Sequence, residues 1–151
     1  MLDRAAERVG AATSGRVATV QADVREAAFA DGSFDVILAA AVLHHLRTDA
    51  EWEAVFGSFH RWVRPGGSVW VFDLVASPLP AVQALMWRHY GEYLTALKDE
   101  AYRDAVFAYV EKEDTPRPLG YQLDLLTRVG FRDPEVLHKH ICFAAFGAVK
   151  P

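Results

Sequence analysis

Two continuous runs of apolar residues, separated by one amphipathic helical segment, constrain the fold of this chain most. The runs are residues 34–42 and 68–75. Runs of this kind are typical of strands that are covered on both faces of a parallel sheet, although the second half of the first run also fits a buried helix. Parallel strands need a crossover connection, usually a helix, so the pattern predicts an α/β fold.

The segment between the two runs predicts a well-defined helix. Thr48 and Glu51 have capping-box spacing, in which each side chain accepts a hydrogen bond from a free backbone N–H. The sequence Arg-Pro-Gly-Gly at residues 64–67 ends the helix, because proline cannot continue it and glycine adopts left-handed angles readily. Between these signals the apolar residues recur at helical spacing and predict a core-facing stripe: Trp52, Val55, Phe56, Phe59 and Val63.

The remaining segments complete an alternating pattern. We expect a helix at residues 2–9, a strand at 17–23, and two helical pieces between 81 and 110. A further helix begins near Pro116 and Pro118 and stops at Gly130. Two strand-like segments, 135–141 and 142–149, predict a C-terminal antiparallel hairpin. The chain shows no linker, so we expect one domain over residues 1–151, with a helical insert at about 80–115.

Composition limits the functional classes. Hydrophobic residues make up 52% and charged residues 24% of the chain, as in a water-soluble globular protein, and no run approaches the ~20 apolar residues of a membrane helix. Cys142 is the one cysteine, which is compatible with a cytoplasmic location. A net charge of −4 argues against a general attraction to nucleic acid, although it leaves room for a local basic patch.

The carboxyl edge of the predicted sheet is the expected functional edge. In open α/β sheets, ligands bind beyond the carboxyl ends of the strands. That rule directs attention to Asp23 and to residues 39–45 and 73–78, which follow the three predicted internal strands.

Four segments together resemble the class I S-adenosylmethionine-dependent methyltransferase superfamily. They are Gln-Ala-Asp-Val at 21–24, Asp-Gly-Ser-Phe-Asp-Val-Ile at 31–37, Val-Leu-His-His-Leu at 42–46 and Val-Arg-Pro-Gly-Gly at 63–67. Each segment alone is weak, but their order and spacing together are specific. The end of the chain is similar to one subset, which includes synthases that modify the tRNA wobble uridine with a carboxylated form of the cofactor.

The resemblance implies a Rossmann-like methyltransferase sheet and assigns roles to four residues. Asp23 matches the acid that accepts a hydrogen bond from the adenine amino group, and Val24 would pack beside the adenine. Ala39 and Ala40 match positions whose backbone lies against the methionine part of S-adenosylmethionine, or of the product S-adenosylhomocysteine. Without the resemblance, Asp23 reads equally as an ordinary polar residue at a strand end.

One departure from the family is large. The family begins with a strand, a glycine-rich turn and a second strand whose terminal acid holds the ribose hydroxyls, and nothing in this chain matches them. We therefore expect an N-terminally incomplete sheet, in which residues 1–33 are rearranged, disordered or paired with another chain. Cofactor binding by this chain alone is accordingly in doubt.

Histidines and aromatic residues near the expected edge leave alternatives open. Adjacent side chains usually point apart, so we expect no metal site at His44 and His45. His45 is a weak candidate for a catalytic base, because histidine titrates near neutral pH. A run of large side chains either caps a substrate pocket or packs between helices: Met86, Trp87, Tyr90 and Tyr93.

The combined expectation is a methyltransferase that acts on a small molecule, with tRNA left open as a substrate. The alternative is a non-catalytic remnant of the same fold, or an interaction module that dimerises through its open sheet edge. A homo-oligomer or a strand-swapped dimer would satisfy an unpaired edge in either case.

Overall fold

The computed structural model describes residues 2–151. An α-helix, α1, spans Leu2–Ala12, and irregular chain follows it up to the first strand. The remaining elements, in chain order, are β1 (Phe34–Ala40), a 3₁₀ turn (Leu43–His45), α2 (Asp49–Trp62), β2 (Val63–Leu74), α3 (Pro80–Leu97), α4 (Glu100–Glu113), α5 (Leu119–Arg128), β3 (Arg132–His140) and β4 (Phe143–Val149). None of the helices in this described part is long and apolar enough to cross a membrane.

Within residues 2–151 the strands form one sheet in the order β1-β2-β4-β3. β1 and β2 are parallel, with Leu38 opposite Trp70 and Ala40 opposite Phe72. β4 runs antiparallel to both β2 and β3, so the predicted C-terminal hairpin is confirmed. The chain turns between the hairpin strands at Ile141, which has a φ of 52°. The α/β class and the parallel pair β1–β2 follow the pattern of the sequence. β1 is nevertheless the edge strand of the described sheet and is exposed on one face, so the expectation that it is covered on both faces is wrong.

One face of the sheet packs against α2 and α5 and contains the main core. The capping box predicted for α2 is present: Glu51 N–H donates to Thr48 Oγ1, and Thr48 N–H donates to Glu51 Oε2. Trp52 is fully buried, and its Nε1 donates to the Leu46 carbonyl over 3.0 Å. The residues of the predicted apolar stripe are all buried, although the helix ends at Trp62 and the last of them is the first residue of β2: Trp52, Val55, Phe56, Phe59 and Val63.

The segment Arg64–Gly67 lies at the start of β2 and approaches β1 closely. Gly66 has a φ of 77°, a left-handed conformation that suits glycine. A Cβ added to Gly67 would lie 2.6 Å from the Asp35 carbonyl oxygen, so a side chain there would push β1 and β2 apart. Arg64 also forms an ion pair with the Asp35 carboxylate. These contacts explain why glycine and arginine occur at the point where β1 and β2 begin to pair.

The region expected as a helical insert contains two helices, α3 and α4, which pack on each other. A second small core forms where the insert meets the sheet, from Leu74, Met86 and Cys142. Burial raises the pKa of the Cys142 thiol to about 11, so the side chain is a neutral space-filling group in this core.

The N-terminal region differs from expectation in one element. The helix predicted at residues 2–9 is present, but none of its side chains is buried. The strand predicted at 17–23 is wrong, because residues 16–21 have no regular structure and are exposed. A strand of this kind requires a partner, and within the described residues the sheet offers none beside it. Residues 2–33 therefore add no strand to the sheet.

The other face of the sheet is largely open at β1. Leu38 is 76% exposed and Val36 is 51% exposed, and both project from the face opposite α2. Phe72, on the neighbouring strand, is 45% exposed. Among the described residues, β1 also has no strand on its outer edge. An exposed apolar strand with a free edge is unusual in a monomeric domain.

Candidate functional site

The carboxyl end of β1 presents a row of three alanines. Ala39 points into the core, whereas Ala40 is exposed on the open face. Ala41 follows with a φ of 52°, and its N–H donates to the Phe72 carbonyl over 2.8 Å. The small side chains leave the backbone at this strand end accessible from the open face. This accessibility is what the resemblance requires of residues beside a cofactor.

Asp23 lies in a turn rather than at the end of a strand. Its carbonyl accepts from Glu26 N–H and Ala27 N–H, and its carboxylate binds the Arg25 guanidinium at 2.6 Å. The hydrogen bonds from Arg25 lower the pKa of Asp23 to about 2, so the exposed carboxylate is ionised at neutral pH. Arg25 also binds Glu51 at 2.7 Å. Because Glu51 is in the first turn of α2, which follows β1, Asp23 is tied to the carboxyl end of the sheet.

Val24 is half-buried and packs against the main core together with Ala27. Its contact with the core anchors the turn that carries Asp23. The structure thus connects two predicted cofactor residues, Asp23 and Val24, to the same end of the sheet as Ala39 and Ala40. Their roles toward a nucleoside stay predictions.

A fully buried carboxylate, Asp73, joins the ends of β1 and β2. Its Oδ2 accepts from Leu43 N–H over 2.6 Å, its Oδ1 accepts from its neighbour Leu74 N–H over 2.7 Å, and Oδ1 also contacts His44 Nδ1. Burial alone would lower the pKa of His44, but the hydrogen bond to Asp73 and the charges of Asp73 and Asp114 raise it above its ordinary value. Asp73 therefore fixes the turn that follows β1.

The two adjacent histidines do not point apart, contrary to expectation. The peptide carrying them bends through a 3₁₀ turn, and their ring centroids are 4.3 Å apart. Both rings approach Asp114, which follows α4: His45 Nδ1 lies 2.8 Å from Oδ1, and His44 Nε2 lies 3.8 Å from Oδ2. Sequence reasoning missed Asp114, because no spacing rule links a residue after the insert to the turn after β1. The one available signal was its position near the end of the expected helical insert.

His45 is the more accessible of the two histidines, with a side chain that is 45% exposed. Its Nδ1 faces Asp114, so its Nε2 is the ring nitrogen left for other contacts. The structure places this candidate base in the 3₁₀ turn that follows β1 and the three alanines. Its role as a base stays a prediction.

An apolar pocket opens beside Phe72, which is exposed on the open face of the sheet. It has a volume of about 490 Å³. Burial raises the pKa of Tyr90, with smaller contributions from neighbours that include Cys142 and Asp114, so the phenol is neutral. Tyr90 and Tyr93 line this pocket, as the substrate-pocket alternative predicted. Met86 instead lies in the small core, and Trp87 borders a separate groove. The walls are mostly aromatic: Phe72, Tyr90, Tyr93, Tyr102, His140 and Phe143.

The strand register brings the pocket and the alanines together. Ala40 is opposite Phe72 across the parallel pair, and neighbouring strands are ~4.8 Å apart. Phe72 also stacks on Phe143, with ring centroids 5.8 Å apart. The position expected to contact the cofactor is therefore adjacent to a wall of the aromatic pocket.

Comparison with known proteins agrees with this geometry. The family model described as a methyltransferase domain matches residues 1–71, which include the alanines, the two histidines and the segment Arg64–Gly67. The chain has a methyltransferase fold. The resemblance to the class I S-adenosylmethionine-dependent superfamily is confirmed, and so is the Rossmann-like α/β class. No curated protein sequence matches the chain significantly.

Solved structures share this methyltransferase fold at low sequence identity. A possible exported protein from Bordetella parapertussis aligns over 99% of this chain and 50% of its own, with 18% identity and a TM-score of 0.69. The S-adenosylmethionine-dependent methyltransferase SibL, in its apo form, aligns over 99% of this chain and 40% of its own, with 20% identity and a TM-score of 0.64. Human N-acetylserotonin methyltransferase, solved with S-adenosylmethionine, aligns over 87% and 33%, with 19% identity and a TM-score of 0.56. The chain thus spans half or less of the length of these structures.

Proposed function

We propose that this chain carries the substrate side of an S-adenosylmethionine-dependent methyltransferase that acts on a small molecule with an apolar, aromatic part. The observation that carries the proposal is the pairing of Ala40 with Phe72 across β1 and β2. It joins the expected cofactor position to an aromatic pocket within one strand spacing. We also propose a cytoplasmic location, for which the single cysteine gives weak support.

The described residues fit an adenosyl ligand from one side. The open face at Ala40 leaves room for a ligand, and its small side chain permits close backbone contact. Asp23 is exposed, ionised and able to accept a further hydrogen bond. We assign the adenine contact to Asp23 and Val24, and the methionine contact to the backbone of Ala39 and Ala40.

When bound, S-adenosylmethionine supplies a methyl group on a sulfonium, which is transferred as its bond to sulfur breaks and a bond to the substrate nucleophile forms. The chain's own task is then to position the nucleophile, since correct alignment supplies much of the rate. Tyr90, Phe72 and Phe143 form a rigid aromatic surface that orients a planar apolar substrate. Pockets of this character commonly hold small ligands.

A nucleophile that carries a proton also needs a proton acceptor. His45 is our candidate, because its ring is accessible at the carboxyl end of β1 and Asp114 lies beside its Nδ1. A neutral histidine with its proton on Nδ1 presents Nε2 as the acceptor. A nucleophile without a proton would not require this residue, so the role of His45 is separable from cofactor binding.

The open edge of β1 supports a second candidate, an interaction module that dimerises through this strand. The strong exposure of Leu38 and Val36 favours it. This candidate predicts concentration-dependent dimers in sedimentation experiments that Leu38→Lys converts to monomers, together with no response to S-adenosylhomocysteine.

The test of the first candidate is calorimetric titration of S-adenosylhomocysteine into the wild-type chain and two bulk-adding variants. Ala40→Phe fills the expected cofactor position, so we expect at least tenfold weaker binding, which corresponds to about 1.4 kcal/mol. Val36→Phe is the matched control, since it adds bulk to the same face of the same strand at its other end.

Binding that Val36→Phe retains and Ala40→Phe loses supports the proposal. The absence of binding to the wild-type chain at millimolar ligand contradicts independent cofactor binding. Equal effects of the two substitutions contradict the assigned position.

A further inference from the structure

His44, His45 and Asp114 form a compact group of potential metal ligands. One ligand atom from each residue lies within 4.8 Å of the other two. Two ligands that are each ~2.0–2.1 Å from a tetrahedral zinc ion are roughly 3.3 Å apart. The separations of 2.8 and 3.8 Å between the ring nitrogens and the carboxylate oxygens bracket this value. The group therefore needs only small adjustments to surround one ion.

Asp114 is the observation that points to a bound cation. Its side chain is only 3% exposed, and within the described part of the chain its Oδ1 makes no hydrogen bond of acceptable geometry. An ionised carboxylate that is buried without a donor is costly, and such groups are normally paired with a cation or coordinated to a metal. This oxygen is shielded from solvent and lies 2.8 Å from His45 Nδ1, while the other carboxylate oxygen lies 3.8 Å from His44 Nε2.

Asp73 supplies the support that metal-binding histidines usually have. A ligating histidine generally donates its other ring N–H to a carboxylate or carbonyl, which fixes the ring and selects the free nitrogen. Asp73 Oδ1 contacts His44 Nδ1 and holds a proton there, so Nε2, which faces Asp114, is the nitrogen that would bind a metal in place of a proton. The buried carboxylate thus prepares His44 as a ligand.

We propose that His44 Nε2, His45 Nδ1 and the Asp114 carboxylate bind one divalent transition-metal ion. Two imidazoles and one carboxylate are a donor set suited to Zn²⁺ and to Fe²⁺ or Co²⁺ rather than to Ca²⁺. Three protein ligands leave a coordination position for water or a substrate atom, as in catalytic rather than structural sites. The partial exposure of His45 gives the ion access from solvent.

This site goes beyond the proposed function and does not depend on it. A metal bound at Nδ1 leaves the ring proton of His45 on Nε2, so the ion and proton acceptance by His45 are alternatives. With the ion in place, a substrate hydroxyl would be activated by coordination, since a bound cation lowers the pKa of a coordinated oxygen acid.

The test uses the full chain, freed of metal with a chelator, in the absence of cofactor and substrate. Calorimetric titration with Zn²⁺ should give one saturable site per chain, and Co²⁺ should give visible absorption bands of a nitrogen-containing site. His45→Ala and Asp114→Asn should each weaken binding by more than the 10–100-fold typical of an outer-shell change. Their circular dichroism without metal verifies that each variant is folded.

The matched control is the double variant His138→Ala/His140→Ala. These two rings stack on β3 with centroids 6.3 Å apart and offer the chain's other close histidine pair, so they could bind metal weakly from the surface. Unchanged affinity in this control, with loss in His45→Ala and Asp114→Asn, supports the site. No saturable binding by the wild-type chain, or binding that disappears only in the control, overturns it.

Discussion

Residues 2–33 and residues 34–149 differ in how much of their structure is packed against the rest of the chain. The first region contains an exposed helix and an irregular segment, and its main anchors are Val24, Ala27 and the ion pairs of Arg25. The second region contains the whole described sheet and both cores. The methyltransferase family model crosses the boundary between them, since it matches residues 1–71.

The comparison shows that a segment can match a family model without forming the local structure that its sequence pattern indicates. Strand-like sequence at residues 17–23 carries the β-branched pattern of a strand, yet it does not form one, because a strand is stabilised by its neighbours. Residues 68–74 have a similar local pattern and do form a strand, because β1 and β4 flank them. The expected cofactor residues fall on both sides of this division.

The largest expected effect is on the free energy of unfolding, which should respond differently to substitutions in the two regions. Trp52→Ala removes a fully buried indole and its hydrogen bond to Leu46, so we expect unfolding to become easier by about 3–5 kcal/mol. Val9→Ala, on the exposed helix, should change stability by no more than about 0.5 kcal/mol. Urea denaturation measures both. Comparable losses would show that residues 2–33 are packed as firmly as the sheet.

A smaller effect, on the free energy of ligand binding, is expected at the aromatic pocket. It tests whether one part of the packed region binds an aromatic molecule. Tyr93→Ala removes part of the pocket wall and should weaken binding of an aromatic probe such as naphthol by roughly 0.5–1.5 kcal/mol. Tyr109→Ala is the matched control, because Tyr109 is 57% exposed, close to the 56% of Tyr93, and is outside the pocket. Fluorescence titration checks both variants. Equal affinities of the Tyr93→Ala and Tyr109→Ala variants for the probe would contradict the assignment of this pocket as the substrate site.

The smallest effect concerns the link between the regions. The pKa of Asp23 is lowered from 3.8 to about 2 in the folded chain, so its ion pair stabilises the turn fully above about pH 3.8 and is lost as the pH falls through about 2. We expect carboxyl carbon NMR to show this titration together with shifts confined to residues near Arg25. Titration of Asp23 near pH 3.8 would show that the turn is detached in solution.

The two regions also differ in how far their structure is predictable from the sequence. The capping box at Thr48 and Glu51, the stripe on α2 and the C-terminal hairpin were predictable, because local signals and tertiary packing agree there. The strand at 17–23 was not, since its fate depends on neighbours that its own sequence does not specify. The expected contact of Ala40 with the cofactor came from the family resemblance alone, and the structure shows in addition that Ala40 is opposite Phe72 across the parallel strand pair.

The histidine group shows a different limit. Adjacent side chains diverge on a regular helix or strand, and this rule excluded a site at His44 and His45. The 3₁₀ turn and the buried Asp73 override it, and Asp114 arrives from a segment about seventy residues further along the sequence. The three side chains come together because of how the helical insert packs, and the spacing of residues in the sequence does not predict that packing.

The most direct test of the account is hydrogen–deuterium exchange with and without S-adenosylhomocysteine. A shared cofactor site requires both regions to contact one nucleoside ligand, so we expect slower exchange at residues 21–27 and also at residues 39–46. Strand β3, which is remote from β1 in the sheet, should be unchanged. Protection limited to one of the two segments, or no protection at saturating ligand, would contradict a shared cofactor site.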